Sequence, residues 1–579
     1  MSRFLQIHKT DLRQQITDLD NNLPIIDRSF VDYEKYNCFI GQSMLKDCMV
    51  LQATRGCPYK CAFCHKIWPK THHVRSAENI IEEIRIYHDM GVKRFAFVDD
   101  VFNFNRKNSI RFFESIIKTG WDVQFFFPNG LRCDILTEDY IDLMIEAGTV
   151  NIAFALDTGS PRLQKFIGRN LMIDKFRKNL EYVCEKYPSL ILEFHSIHGF
   201  PTETEEEAMM TLNFIKSIKW LHFPYVHILK IFPNSDMERL ALESGISREA
   251  IERSLDLTFD ELPYNELENP LPFKQEFTYR YQAEFLHEYL LLKERFLKVL
   301  PYQMKLFTES ELVQKYNSYL PFEVKALDDL LQRVGISKDE LETDSCLDEN
   351  TYYAPEINKK IAEHFPARTP AEDAVRVLLL DLSLFFSHER EILYDVVEAP
   401  LGLLYIMSYL KQQKGDQING KIAKSRIDFD SYPELKELLN EFKPDIIGIR
   451  TLTVFKKFFQ EAVEIIRDWG IDVPIIAGGP YATSEYAEIL QDGKVDLVVV
   501  GEGEVTFCDL IDKFIKNKRK MPDEDILKDI PGIAFVSGKG SGKQFPKNKV
   551  FSGLSSTDLS GEKDMEIYNQ LSKDLEDEL

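Results

Sequence analysis

Basic residues are in the minority. The 579-residue chain carries 71 Lys and Arg against 94 Asp and Glu, a formal net charge of −23. A nucleic-acid backbone or an anionic membrane needs basic surface, so neither is expected as a main partner. Long apolar runs are also missing. None reaches the roughly 18 residues of a membrane span, and the opening MSRFLQIHKTDLRQQ lacks the apolar core of a signal peptide. Cysteine is sparse for the length. Nine cysteines are no disulfide scaffold, and six of them (Cys38, Cys48, Cys133, Cys184, Cys346 and Cys508) are scattered. A reducing compartment, the cytoplasm, is therefore expected. What the chain does have is apolar content: 44% of its residues are hydrophobic, enough for globular cores. The length suggests two to four domains at roughly 150 residues each.

The other three cysteines sit together in Cys57-Pro-Tyr-Lys-Cys61-Ala-Phe-Cys64, spaced C-x3-C-x2-C. An apolar run, Met49 to Thr54, leads in and reads as a strand, which Arg55-Gly56 breaks. The cysteines thus lie on a loop leaving the C-terminal end of a strand. Three thiolates so close can face one metal centre. A [4Fe-4S] cube usually takes four cysteines, so three leave one iron open to N and O donors of a small molecule. The alternatives are buried free thiols or a structural zinc site. Zinc usually needs four ligands in separated pairs, and His65, directly after Cys64, would have to fold back.

This loop resembles the signature of the radical S-adenosylmethionine (SAM) superfamily, which places an aromatic just before the third cysteine, here Phe63. The resemblance implies a [4Fe-4S] cluster on Cys57, Cys61 and Cys64. It also implies that the open iron chelates SAM, and that an electron from the cluster cleaves SAM to a 5′-deoxyadenosyl radical.

Downstream, strands are expected at 49–54, 93–98, 123–127, 150–156, 190–197 and 225–231, with helices at 76–90, 107–118, 137–147, 173–186 and 203–218 between them. Buried, unalternating strands in six β/α units imply an α/β fold with a parallel sheet. This matches the partial (β/α)6 barrel of the radical SAM family. Barrel active sites lie at the C-terminal strand ends. Here those ends carry Asp99-Asp100, Asn129-Gly130-Leu131-Arg132, Asp157-Thr158-Gly159-Ser160 and His198-Gly199-Phe200-Pro201. Each resembles a family block, which implies that Asp99, Asp100, Asn129, Arg132, Asp157, Ser160 and Gly199 surround SAM. The strand-two end would meet the methionine amino group, the strand-four acid the ribose, and the strand-five turn the adenine. Asp157 stands where many relatives have Glu, a shorter reach. Any one of these turns, taken alone, reads better as a helix cap or a tight turn. Their order behind the cysteine loop carries the reading. His195 and His198 read as core or turn residues.

The chain divides into an N-terminal linker (1–44), the radical SAM core (45–235), a mainly helical middle (236–370), a second β/α domain (371–540) and an acidic tail (541–579). In the middle, 276–297 reads as one amphipathic helix, and 308–345 and 356–364 read as helical. In the second domain, strands are expected at 375–381, near 424–429, and at 446–449, 474–477 and 496–500, a doubly wound Rossmann-like sheet. Its Gly-rich turns, Gly478-Gly479-Pro480 and Gly501-Glu502-Gly503-Glu504, suit phosphates or a close-packed ligand. Together with Ala399-Pro400-Leu401-Gly402 and IIGIRT, they resemble the cobalamin-binding domain of cobalamin-dependent radical SAM enzymes. The resemblance implies contacts to cobalamin from Leu401, Gly402, Thr451, Thr453, Gly478, Gly479, Gly501, Glu502 and Gly503. The D-x-H-x-x-G motif that supplies an axial histidine in mutase-type domains is absent.

Relatives generally place the cobalamin domain before the radical domain, and here it follows. The stretch IPGIAFVSG and residues 22–48 resemble the two halves of the usual link, so the chain looks circularly permuted. The expected activity is hydrogen abstraction from an unactivated carbon, then cobalamin-dependent methyl transfer. The expected partners are a small-molecule or peptide substrate and a reductant such as flavodoxin or ferredoxin. Radical rearrangement, cyclisation or epimerisation is the alternative enzyme class, and a binding module with a relic loop is the non-enzyme one. The chain shows no second three-cysteine set, as a methylthiotransferase would need.

Overall fold

The computed structural model describes residues 6–36, 44–65, 70–256, 277, 280–281, 286–318, 320, 322–341, 343, 345–387 and 398–537. The chain opens with a short strand, β1 (Ile7–Lys9), that belongs to the second domain. The first domain's sheet starts at β2 (Cys48–Leu51). A small antiparallel hairpin follows, β3 (Thr54–Arg55) against β4 (His73–Val74). The sheet then continues through β5 (Arg94–Phe97), β6 (Gln124–Leu131), β7 (Thr149–Asp157), β8 (Ile191–His198) and β9 (Phe223–Ile228). It is parallel and keeps chain order, β2-β5-β6-β7-β8-β9.

Both faces of this sheet are covered, which is why its strands are apolar without alternation. One face, including Phe95, Phe97, Phe125, Phe154 and Phe194, packs on helices such as Ala77–Asp89, Arg106–Thr119 and Ile173–Lys186. The other face, including Val50, Ala96, Phe126 and Phe223, packs on Phe296, Leu300, Leu312 and Tyr316 of the middle region. Those residues lie on helices Lys293–Met304 and Glu309–Asn317. Two ion pairs are buried in this contact. Arg94 meets Glu311 at 2.7 Å and Lys315 meets Glu193 at 2.8 Å, with all four side chains at most 1% exposed.

The single helix expected over 276–297 is broken where it is described. His287–Leu290 is helical, Leu292 is extended, and a new helix starts at Lys293. The buried Arg295 guanidinium donates to the carbonyls of Leu290, Leu221 and His222, so tertiary contacts override the local helical period. The rest of that segment lies outside the described residues.

The second sheet contains β10 (Val375–Asp381), β11 (Ile418–Lys424), β12 (Ile446–Arg450), β13 (Ile475–Gly478), β14 (Leu497–Val499) and β15 (Ile533–Val536). Its order is β1-β15-β14-β13-β12-β10-β11, parallel except at β15 and β1. The strand expected near 424–429 is β11, several residues earlier. INGKIAK has few apolar residues, but a Cβ at Gly420 would come within 2.3 Å of Met407 Sδ, so glycine lets helix Leu401–Lys414 pack on the strand.

Residues read from sequence as a linker do more than connect. Ile7 pairs with Val536 across β1 and β15, and Ile16, Leu19, Leu23, Ile26 and Tyr36 join the core of Leu403, Leu410 and Phe514. The two segments read as halves of one link both contribute to that core, IPGIAFVSG through Ile530, Ile533 and Phe535 and residues 22–48 through Leu23, Ile26 and Tyr36. The expected acidic tail lies outside the described residues.

Candidate functional site

The cysteine loop leaves β3 and is pinned along its length. At its base, a Cβ on Gly56 would sit 2.5 Å from the Thr71 carbonyl oxygen, and Gly56 has φ +82°. Only glycine tolerates both. The Arg132 guanidinium lies 4.0 Å over the Tyr59 ring. Gly168 lets the Lys60 carbonyl approach its Cβ position to 2.8 Å. The Ala62 N–H donates to Ile167 O (2.8 Å), and Phe63 packs on Phe200 with ring centroids 6.1 Å apart. Cys57 is half-buried, Cys61 buried and Cys64 exposed. Burial pushes both the Cys57 and the Cys64 thiols up. Among the described residues no three His, Cys, Asp or Glu converge as on a single ion. A cube gives each cysteine its own iron, so its ligands need not converge on one point. The donor set and spacing of this loop fit the cube.

The strand-end residues divide by what they already hold. Asp99 is buried, and its Oδ1 accepts from the Ala53 and Thr54 N–H groups and the Thr54 hydroxyl. It ties β5 to the end of β2 rather than facing an open site. Asp100 is exposed and reaches the interdomain cavity. Arg132 forks onto Asp134 at 2.9 Å as well as stacking on Tyr59. Asp157 takes a left-handed conformation, φ +63°, and pairs with Arg169 Nε at 2.7 Å. Ser160 caps helix Pro161–Phe166 and donates to Glu207 at 2.7 Å. Gly199 (φ +101°) donates its N–H to Glu203, closing its own turn. Asn129 is exposed at the end of β6. Most of these residues therefore support the loop and the barrel rim.

Beside the loop, a cavity of about 300 Å³ opens between the two domains. Gln52, Arg55, Gly56 and Asp100 come from the first domain; Leu401, Gly402, Tyr405, Gly478, Gly479, Gly501, Glu502 and Gly503 come from the second. Its floor is apolar, formed by Leu379, Ile449, Ile476, Val499 and Phe507. A Cβ at Gly402 or Gly478 would meet nothing within 4 Å, so these glycines leave room in the slot. Gly479 differs. Its φ is +85° and a Cβ would lie 2.7 Å from Arg450 Cγ, so its role is conformational. Thr451 and Thr453 do not line the cavity; both are buried, and Thr451 donates to Leu382 O at 2.5 Å. The slot, glycine-rimmed and apolar below, fits an apolar ring with a flexible tail, as the nucleotide arm of cobalamin has. The lining residues include no histidine.

Sequence reasoning missed three features. Arg169 joins the loop to the rim: Nη1 lies 3.8 Å from Cys61 Sγ while Nε pairs with Asp157. Arg55, read only as a strand breaker, spans the domain boundary to Glu502 and Glu504. His195 Nδ1 and His227 Nε2 lie 2.9 Å apart on adjacent strands, and burial lowers the two to about 4 and about 3, which keeps both uncharged. None carries a local motif, and the last needs the β8–β9 register to be seen.

A family model described as the radical SAM superfamily matches residues 51–215, and one described as the B12 binding domain matches residues 394–511. An uncharacterised methyltransferase of Pyrococcus horikoshii is 31% identical over 204 residues, covering 34% of this chain and 42% of that protein. The anaerobic magnesium-protoporphyrin IX monomethyl ester cyclase of Rubrivivax gelatinosus is 25% identical over 202 residues, 34% of this chain and 35% of its own. The chain thus spans less than half of either relative. The structure of the radical SAM methyltransferase TsrM from Kitasatospora setae, with cobalamin and a [4Fe-4S] cluster bound, superposes with a TM-score of 0.31. That match has 15% identity and covers 35% of this chain and 37% of that one. The first matched domain implies a [4Fe-4S] cluster and SAM, and the second implies cobalamin. Among the described residues no helix is long and apolar enough to cross a membrane.

Proposed function

We propose that this chain, a radical SAM domain followed by a B12-binding domain, is an enzyme that abstracts hydrogen from an unactivated carbon and methylates it with the help of cobalamin. The observation that carries this reading is the shared cavity: the base of the cysteine loop and the C-terminal strand ends of the second sheet line one space. Ligands of open α/β sheets sit at such ends, so residues of both domains would hold their cofactors around this one space. When bound, the cluster with SAM supplies a radical that removes hydrogen, and cobalamin supplies the methyl group.

The chain's own residues bind and orient. Cys57, Cys61 and Cys64 hold the cluster, and Arg169 places a cation beside Cys61. Asp100, which also accepts the Gly56 N–H, and Asn129 are exposed at successive strand ends and would meet SAM. Gly402 and Gly478 leave the slot open for the nucleotide arm. The substrate is a small molecule or a peptide, and the electron comes from a flavodoxin- or ferredoxin-type reductant.

The test is anaerobic. The reconstituted protein is mixed with hydroxocobalamin, desalted and scanned for corrin absorbance, then given SAM and a reductant. Retained corrin and formation of both 5′-deoxyadenosine and S-adenosylhomocysteine are expected. Gly478→Trp should lose the corrin and keep the iron. 5′-Deoxyadenosine without S-adenosylhomocysteine would favour rearrangement or cyclisation instead. A Cys57, Cys61, Cys64→Ala triple variant that keeps about four irons would remove the cluster assignment altogether.

A further inference from the structure

We propose that Arg55 is a positioning residue that couples the two cofactor sites, so that filling the interdomain cavity tightens SAM binding at the cysteine loop. The inference rests on the cobalamin reading above.

Arg55 belongs to the first domain but is held by the second. Nη2 meets Glu504 Oε1 at 2.6 Å and Nη1 meets Glu502 Oε1 at 3.4 Å. Its guanidinium lies 5.0 Å over the ring of Tyr405 on helix Leu401–Lys414. The side chains of Arg55, Glu502 and Glu504 are 11%, 8% and 6% exposed, so water screens this contact little. A planar fork between two carboxylates and an aromatic face is a task arginine performs and lysine does not.

The same residues wall the cavity. Tyr405, Glu502 and Glu504 line it together with Arg55 itself. A ligand seated there touches the groups that hold the guanidinium. Glu502 has little freedom to re-aim, because its Oε2 also accepts the Ile16 N–H at 2.8 Å.

On the other side, little slack separates Arg55 from the cluster. Its backbone pairs with His73 in the β3–β4 hairpin. Gly56 follows, wedged with its Cβ position 2.5 Å from Thr71 O, and then comes Cys57. A displacement of Arg55 is therefore passed to the first cluster ligand rather than absorbed. Ordering of Glu502, Glu504 and Tyr405 by a cavity ligand fixes Arg55, and Arg55 fixes the loop on which SAM must bind. An ion pair that merely glued the domains together would leave SAM affinity indifferent to the cavity.

Isothermal titration of SAM, without reductant, into the cluster-loaded protein tests this, run with and without saturating hydroxocobalamin. Hydroxocobalamin should tighten SAM about five-fold or more, the lower end of ordinary coupling between sites, and SAM should tighten hydroxocobalamin by the same factor. Arg55→Gln should keep its iron and, titrated at hydroxocobalamin concentrations that saturate the variant itself, show coupling within about two-fold of none. Arg55→Lys should fall between. Glu504→Gln, which breaks the contact from the other domain, should reproduce Arg55→Gln and serves as the test should that variant misfold. Undiminished coupling in Arg55→Gln or Glu504→Gln overturns the proposal, as does a wild-type protein that retains hydroxocobalamin and shows no coupling. A wild-type protein that retains no corrin instead removes the cobalamin reading, and this inference with it.

Discussion

A carboxylate that accepts three hydrogen bonds ordinarily keeps its charge, yet burial pushes Asp99 up to about 7. Desolvation outweighs the donors on Ala53 and Thr54. The sign of the effect on stability follows. The unfolded carboxyl ionises near 3.9, so between that value and about 7 the folded state alone holds the proton. Stability therefore rises as pH falls through 7. From pH 8 to pH 6 this one group should contribute about 1.4 kcal/mol, one ten-fold step in proton binding. Asp99→Asn, which never ionises, should lose that increment, as read from denaturant unfolding at the two pH values. Equal slopes in the two proteins would show that Asp99 is ionised throughout. Asp157 is also raised by burial, but Arg169 and Arg132 oppose the shift, so it is the better placed of the two to stay charged. Both acids were legible in the sequence as strand-end residues. Both are buried, and which one stays charged depends on the partners that fold around it.

Helix Glu309–Asn317 shows the same limit one level up. Its helical character was readable; its docking face was not. Lys315 sits fully buried against Glu193 of β8, and Asn151 donates to the same Glu193 oxygen at 2.8 Å. Removing one member of a buried pair strands the other charge. Lys315→Met should therefore cost about 3–5 kcal/mol, while a Lys315→Met, Glu193→Leu double variant should recover most of it. Thermal unfolding of the three proteins decides, and equal losses in the single and double variants would refute the pairing argument. The barrel strands and their helices stood close to their expected positions because their apolar periods are strong. β11 did not, because an edge strand with one glycine and two lysines carries little period to read.

At the scale of the molecule, residues 6–36 act as a strap across both domains. On the second domain, the Thr10 N–H donates to Ile533 O at 2.9 Å and Arg13 pairs with Asp509. On the first, Asp20 accepts the Ser76 N–H at 2.9 Å and Ile26 O accepts the Tyr87 hydroxyl at 3.1 Å. Thr10→Pro removes an N–H that the β1–β15 pairing needs. It should split a single calorimetric unfolding transition into two, as the domains lose a shared restraint. One coincident transition in the variant would mean that the strap is passive.

The cysteine spacing, the strand-to-helix periods and the Gly-rich turns determined the two domain types by themselves. Each is a local pattern, written within a few residues of the chemistry or packing that requires it. The tertiary structure decided the rest: that a linker-like segment closes the second sheet, that Asp99 and Ser160 serve the scaffold, and that Arg55 and Arg169 tie the cysteine loop to distant carboxylates. Those roles depend on partners far apart in sequence, 449 residues for Arg55 and Glu504 and 523 for Thr10 and Ile533. Burial and charge at such contacts are set only when the sheets and helices close around them.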